Sequence, residues 1–161
     1  MSIKVGDKIP QATLRLITPE GPKPVTTQEF FAGKKVVLFG LPGAFTPTCH
    51  KNHLPGFLTE EAAFKAKGVD EIAMTSVNDP FVLTEWSKAT GSAGHIAFLS
   101  DGNADFAKAL GLEFDASMGG LGVRSKRYAA MIEDGVVKLL NIEESPGKAD
   151  LSSASHLLAQ M

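Results

Sequence analysis

Cys49 is the only cysteine in the 161-residue chain, and it closes the stretch Leu41-Pro42-Gly43-Ala44-Phe45-Thr46-Pro47-Thr48-Cys49. A lone cysteine ordinarily packs as a small apolar side chain within a periodic face. This one instead follows a loop dense in proline and glycine, where backbone can approach a ligand closely. Thr46 suits an N-cap, Pro47 the first helical position and Cys49 the third, so the thiol falls in the first turn of a helix. Unsatisfied N–H groups and the positive end of the helix dipole favour an anion there, and the anion of cysteine is its nucleophile. The chemistry expected is that of a reactive thiolate. With one cysteine no disulfide can form within the chain, so any disulfide must join Cys49 to another molecule.

Two other arrangements near Cys49 carry less. Cys49-His50-x-x-His53 places three potential metal ligands in one helical turn, without the paired spacings of zinc sites. Neither a metal nor another cofactor is expected. No Cys-x-x-Cys occurs, since threonine stands at the first position of Thr46-x-x-Cys49, and this excludes an intrachain dithiol cycle. His95 and His156 have no acidic or cysteine neighbour in sequence and receive no role. Phe81, Leu83 and Trp86 have spacings that suit packing along one helix face.

The elements that must position the thiol follow from turn signals and periodicity. Ala12 to Ile17 and Pro24 to Thr26, separated by Thr18-Pro19-Glu20-Gly21-Pro22, read as an N-terminal hairpin. Thr27 is expected to cap a short helical turn through Phe31. Val36-Val37-Leu38-Phe39-Gly40 is an unbroken apolar run and reads as a central strand buried on both faces. The helix after Cys49 carries Leu54, Phe57, Leu58 and Phe64, with Pro55 expected to kink it. Glu71 to Val77, a helix from Asp79 or Pro80 to Thr90, and Ile96 to Leu99 continue a strand, helix, strand rhythm. A helix from Asp105 through Leu110 follows, then strands at Ala129 to Glu133 and Val136 to Asn141 joined by Asp134-Gly135, a hairpin signal. Ser152-Ser153 is expected to cap a last amphipathic helix through Leu157 and Leu158. The sum is one three-layer α/β/α domain over residues 1–161 with a central mixed sheet. Ligands of such sheets gather at the carboxyl ends of the strands.

Composition narrows the partners. A chain that is 43% hydrophobic can bury a core unaided, and a net charge of -2 with interspersed signs leaves no basic stripe for nucleic acid or an anionic membrane. The N-terminus shows no apolar segment after its lysine, and the run from Val36 to Phe45 is too short and broken to span a bilayer. A cytoplasmic protein is expected, because an unpaired thiol suits a reducing compartment.

Pro42-x-x-x-Thr46-x-x-Cys49 resembles the active-site pattern of peroxiredoxins, and Leu38-Phe39-Gly40-x-Pro42-Gly43-Ala44-Phe45-Thr46-Pro47 is similar to the type II, peroxiredoxin-5 class. The resemblance runs from Ile3-Lys4-Val5-Gly6-Asp7 through His53-Leu54-Pro55-Gly56-Phe57, Ser76-Val77-Asn78-Asp79, Glu85-Trp86 and Glu133-Asp134-Gly135, essentially the whole chain. It implies a thioredoxin-like fold and an antioxidant peroxidase that reduces hydrogen peroxide and alkyl hydroperoxides. Cys49 would attack a peroxide oxygen and become a sulfenic acid. The resemblance further implies that Thr46 hydrogen-bonds through its hydroxyl to thiolate and peroxide, and that Pro42 walls the pocket. It calls for an arginine beside the sulfur. Arg127, just before an aromatic and the Asp134-Gly135 hairpin, matches that position, with Arg124 as a second, supporting guanidinium. Gly43, Phe45 and Thr48 complete the expected substrate surroundings, Phe45 also packing across a homodimer interface.

The chain departs from relatives that carry a second, resolving cysteine near the C-terminus, since Asp150-Leu151-Ser152-Ser153 holds none. The resemblance then implies glutaredoxin or glutathione as reductant, through a mixed disulfide on Cys49, with thioredoxin as the other candidate. A non-enzymatic reading competes, in which Cys49 is a redox sensor oxidised once to alter a partner's binding.

Overall fold

The computed structural model describes residues 2–161. The chain enters as a hairpin of β1 (Thr13–Thr18) and β2 (Gly21–Thr26), turned at Pro19-Glu20. Helix α1 (Thr27–Phe31) follows at once. Its cap is Thr26 and not Thr27: the Thr26 hydroxyl accepts from the Glu29 N–H while the Glu29 carboxylate accepts from the Thr26 N–H. This reciprocal pair needs a carboxylate three residues on, which Thr26 has and Thr27 lacks. Thr27 instead buries its hydroxyl against the Pro10 carbonyl.

Strand β3 (Lys35–Gly40) is buried at every residue after Lys35, as its unbroken apolar run requires. It lies in the sheet interior, parallel to β4 (Glu71–Ser76) and antiparallel to β8 (Tyr128–Glu133). With β5 (Ala97–Ser100) and β9 (Val136–Ile142) the strands form a seven-stranded mixed sheet in the order β2-β1-β5-β4-β3-β8-β9. Asp134 and Gly135 both take positive φ, 48° and 77°, which gives the β8–β9 turn the twist a tight hairpin needs. A small second sheet of β6 (Glu113–Asp115) and β7 (Val123–Ser125), not anticipated from sequence, stands apart. Three-residue strands are too short for periodicity to register.

Both faces of the large sheet are covered. One apolar cluster joins Val37, Phe39 and Met74 to residues of α2 (Leu54–Thr59), α3 (Glu61–Ala66), α4 (Pro80–Ala89) and α6 (Ala154–Gln160). The other joins Val36, Leu38 and Ala73 to α1 and α5 (Asp105–Leu110). This is the thioredoxin-like three-layer arrangement. Cys49 belongs to the first cluster. On that face Phe39 stacks on Phe57 with ring centroids 4.1 Å apart, and Phe57 stacks on Phe64 at 5.9 Å, which fastens the helix after the cysteine to the end of β3. Each such ring contributes about 1.5–3 kcal/mol through burial. Along α4, Leu83 and Trp86 are fully buried, but Phe81 is 72% exposed, so it does not share their packing.

Candidate active site

The loop after β3 delivers the cysteine. Helical backbone begins at Pro47, and Cys49 opens a five-residue π turn, Cys49–His53, that leads into α2. The Leu54 N–H reaches back five residues to the Cys49 carbonyl. Pro55 explains the wide turn: it has no N–H to give Lys51, so the register that an α-helix would impose just before it is released. The disturbance expected at Pro55 therefore appears on its N-terminal side, and a second break follows at Glu60, where α2 ends and α3 begins. Cys49 and His53, four residues apart, are both buried.

Arg127 completes the centre. Its side chain is only 2% exposed, and Nη2 donates to Cys49 Sγ at 3.0 Å. Nη1 donates to His53 Nδ1 at 3.0 Å, and Nε and Nη2 donate to the Pro146 carbonyl at 3.1 and 3.0 Å. Of the five N–H groups of a guanidinium, one on Nη1 is left over. Arg124 goes elsewhere. Its Nε donates to the Leu121 carbonyl and its Nη1 to the Pro42 carbonyl at 3.1 Å, so it holds the cysteine loop and does not touch the sulfur. Gly43 makes room for it, because a Cβ there would stand 2.6 Å from Arg124 Nη1.

Thr46 differs from its expected geometry. Its hydroxyl donates to the Gly43 carbonyl at 2.6 Å, so its hydrogen does not go to the sulfur, and no side-chain cap bond to the cysteine turn forms. With the hydrogen committed, the oxygen remains free to accept. Pro42 is buried. Thr48 donates to the Gly147 carbonyl and so ties the turn to the segment that also supplies Pro146. Phe45 is 51% exposed with φ of 62°, rare for a residue with a side chain, and stacks on His50. Trp86 Nε1 donates to His50 Nδ1 at 2.9 Å.

The histidine beside Arg127 has a protonation state set by its neighbours. His53 Nε2 faces the Ser152 carbonyl at 2.9 Å, which can only accept, so Nε2 carries the hydrogen. Nδ1 faces a guanidinium, which can only donate, so Nδ1 presents its lone pair. Burial, and then the positive charge of Arg127, push its pKa from 6.5 down to about 3, so His53 is neutral at physiological pH. Among the described residues no group of three or more metal-ligating side chains converges.

The family model described as Redoxin matches residues 4–158. Peroxiredoxin-2E-2, chloroplastic, of Oryza sativa subsp. japonica is 51% identical over 162 residues, covering 98% of this chain and 72% of that protein. The chain belongs to the peroxiredoxin family. As a type II peroxiredoxin with a single cysteine it is a thiol-dependent peroxidase. The reduced Prx3 of Vibrio vulnificus in complex with H2O2 superposes with a TM-score of 0.92 and 50% identity over 98% of each chain. A Burkholderia cenocepacia protein provisionally named a thioredoxin reductase superposes at 0.97 with 43% identity, over 100% of this chain and 99% of that one.

Sequence reasoning missed four contributors to this peroxiredoxin's site. From the sequence His53 reads only as a potential metal ligand, although its spacing of four from Cys49 puts both on one side of a helical turn. Pro146 and Ser152 offer carbonyls, which no side-chain pattern reveals. Asn78 lies in Ser76-Val77-Asn78-Asp79, where nothing in the sequence marks it out. Its Oδ1 accepts from the Ala44 N–H at 2.9 Å and the Ser76 hydroxyl at 2.8 Å, and so fixes the cysteine loop to the end of β4.

Proposed function

We propose that the chain reduces hydrogen peroxide and alkyl hydroperoxides at Cys49 and is recycled by an external thiol. Glutathione with glutaredoxin is the preferred source, and thioredoxin the alternative. The observation that carries this reading is the 3.0 Å contact of Arg127 Nη2 with Cys49 Sγ in a chain with no other cysteine. The positive charge of the guanidinium faces the sulfur, where negative charge is needed for attack on a peroxide oxygen. The thiolate attacks one peroxide oxygen, the O–O bond breaks, and the departing oxygen takes a proton to leave as water or alcohol. Cys49 is then a sulfenic acid. A thiol condenses with it, releasing water and leaving a mixed disulfide, and a second thiol attacks the outer sulfur to restore Cys49. The remaining Nη1 hydrogen of Arg127 and the Thr46 oxygen supply a donor and an acceptor for the peroxide.

The Vibrio relative's peroxide complex supports the substrate class. The complete burial of Cys49 bears on the reductant: a peroxide is small, whereas a protein thiol reaches the sulfur only when the turn opens. A homodimer is part of the proposal, supported by the exposed Phe45 on the cysteine loop and the exposed Phe81 and Val82 on α4. So is a cytoplasmic setting, supported by the unpaired thiol. No helix among the described residues is long and apolar enough to cross a membrane.

The test is turnover of hydrogen peroxide and tert-butyl hydroperoxide by catalytic protein with glutathione alone, with glutathione and glutaredoxin, and with thioredoxin. Many equivalents should be consumed per chain, fastest with glutaredoxin, and none by Cys49→Ser. Consumption that halts at one equivalent with every thiol would make the protein a sensor and overturn the reading.

A further inference from the structure

A buried guanidinium is ordinarily balanced by a carboxylate, since an uncompensated buried charge costs several kcal/mol. Arg127 has no ion pair among the described residues. Its acceptors are the Pro146 carbonyl, the His53 imidazole and Cys49 Sγ. Glu143 comes near through its backbone, donating its N–H to the Arg127 carbonyl, but its Oε2 accepts from the Ser152 N–H and hydroxyl, both at 2.7 Å. The Ser152 carbonyl, so held, accepts from His53 Nε2. A chain of bonds thus runs from Glu143 through Ser152 and His53 to Arg127 and the sulfur. It keeps a carboxylate two bonded residues away from the guanidinium and puts a neutral acceptor against it.

We propose that His53 is a positioning residue for the peroxide reaction, its neutral imidazole orienting the Arg127 guanidinium on Cys49 while leaving the guanidinium's charge to the sulfur. A carboxylate at the same place would hold Arg127 equally well and cancel that charge. An apolar side chain would leave Nη1 without a partner, and the buried guanidinium would turn toward other acceptors. The imidazole supplies direction without charge, so the charge of Arg127 is left to the Cys49 sulfur. The ring is itself held, edge-on to Phe39 and Phe57 at centroid distances of 5.2 and 5.6 Å. This rests on Arg127 being the sulfur's partner in the reaction.

Two substitutions separate orientation from simple packing. His53→Asn puts an amide oxygen near the Nδ1 place and keeps the acceptor for Arg127. His53→Gln puts its amide near the Nε2 place, keeping the bond to Ser152 and losing the acceptor. Sulfenic acid formation with hydrogen peroxide, followed by stopped flow, should stay within a few-fold of the parent in the asparagine variant. It should fall about tenfold in the glutamine variant, the effect of one charge-assisted hydrogen bond. In an Arg127→Ala background the two should become indistinguishable. Equal rates in the two single variants, or a gap that persists without Arg127, would overturn the inference. An Arg127→Ala variant as fast as the parent would instead sink the reading it rests on. Nitrogen NMR of the unmodified protein gives a check that needs no variant: His53 should hold hydrogen on Nε2 only at pH 6, and an imidazolium there would overturn the proposal.

Discussion

Arg127 and Tyr128 are neighbours in the chain, each 2% exposed, and the alternation of an extended segment sends them to opposite faces of the sheet. On the Cys49 face the guanidinium meets three acceptors, each held by a partner or a fixed backbone. On the other face neither the Tyr128 hydroxyl nor the Thr75 hydroxyl has a hydrogen-bond partner among the described residues. Both flank Gly40, which pairs with Tyr128 on one side and Thr75 on the other, and a Cβ at Gly40 would overlap the tyrosine ring. Burial pushes the ionisation of that phenol far above its usual range, so it stays neutral. An unpartnered buried hydroxyl costs about 1–3 kcal/mol, which burial of the aromatic ring offsets at about 1.5–3 kcal/mol. The difference teaches how to tell chemistry from packing among buried polar groups. A charged group has to be compensated wherever it is buried, and where a thiolate provides the compensation the result is a reactive centre. A neutral hydroxyl can be carried into a core by the apolar body it is attached to.

The comparison breaks most visibly at Arg127. Arg127→Ala should lower the second-order rate with hydrogen peroxide by about 10²–10³, the usual loss when one preorganised donor to a developing charge is removed. Stopped-flow kinetics with a retained fold by circular dichroism would show it. A change of less than a few-fold would mean the contact with the sulfur is incidental.

Acid should expose the same face next. His53 binds its proton at about pH 3 when folded and at its ordinary 6.5 when unfolded, so between those values the unfolded chain holds more protons. The contribution of neutral His53 is fully present above about pH 6.5 and is lost as pH falls toward 3. Thermal unfolding midpoints measured from pH 7 to pH 4 should decline, and more shallowly in His53→Asn. Parallel curves would remove His53 from the acid response.

Arg124→Ala should cost only a few-fold in rate, because its bonds go to the Pro42 and Leu121 carbonyls and it acts on the loop rather than the sulfur. A loss equal to that of Arg127→Ala would erase the distinction between the two arginines. The smallest effect belongs to the opposite face. Tyr128→Phe removes the unpartnered hydroxyl and should stabilise by up to about 1 kcal/mol, raising the unfolding midpoint by about 2–4 °C with turnover unchanged. Destabilisation would mean the hydroxyl finds a partner after all.

The strands and helices were legible where local chemistry decides them. The apolar run of β3 and the Asp134-Gly135 turn read directly from residue types and spacing; the start of α4, open between Asp79 and Pro80 in the sequence, is fixed in the structure by the Asp79 carboxylate, which accepts from the Phe81 and Val82 N–H groups. The misreadings arose where two neighbours compete, as Thr26 and Thr27 do for one cap, or where an element is too short for a period, as in β6 and β7. At the site, residue spacing put Cys49 in a helical first turn, and family resemblance selected Arg127 over Arg124. The direction of Thr46 and the part played by His53 were not readable, because each depends on which carbonyl or guanidinium lies opposite.

By itself the sequence determined that one thiol sits where a helix begins, that no second thiol accompanies it, and that a buried strand leads to it. Those are properties of neighbouring residues, and local propensity and counting suffice for them. Only the tertiary structure decided what the thiol meets. Arg127 lies 78 residues away and the Ser152 carbonyl 99 residues from His53, and their approach is a consequence of sheet register and helix packing. Hydrogen bonds act over about 3 Å, so their partners are settled by that packing rather than by neighbours in the chain.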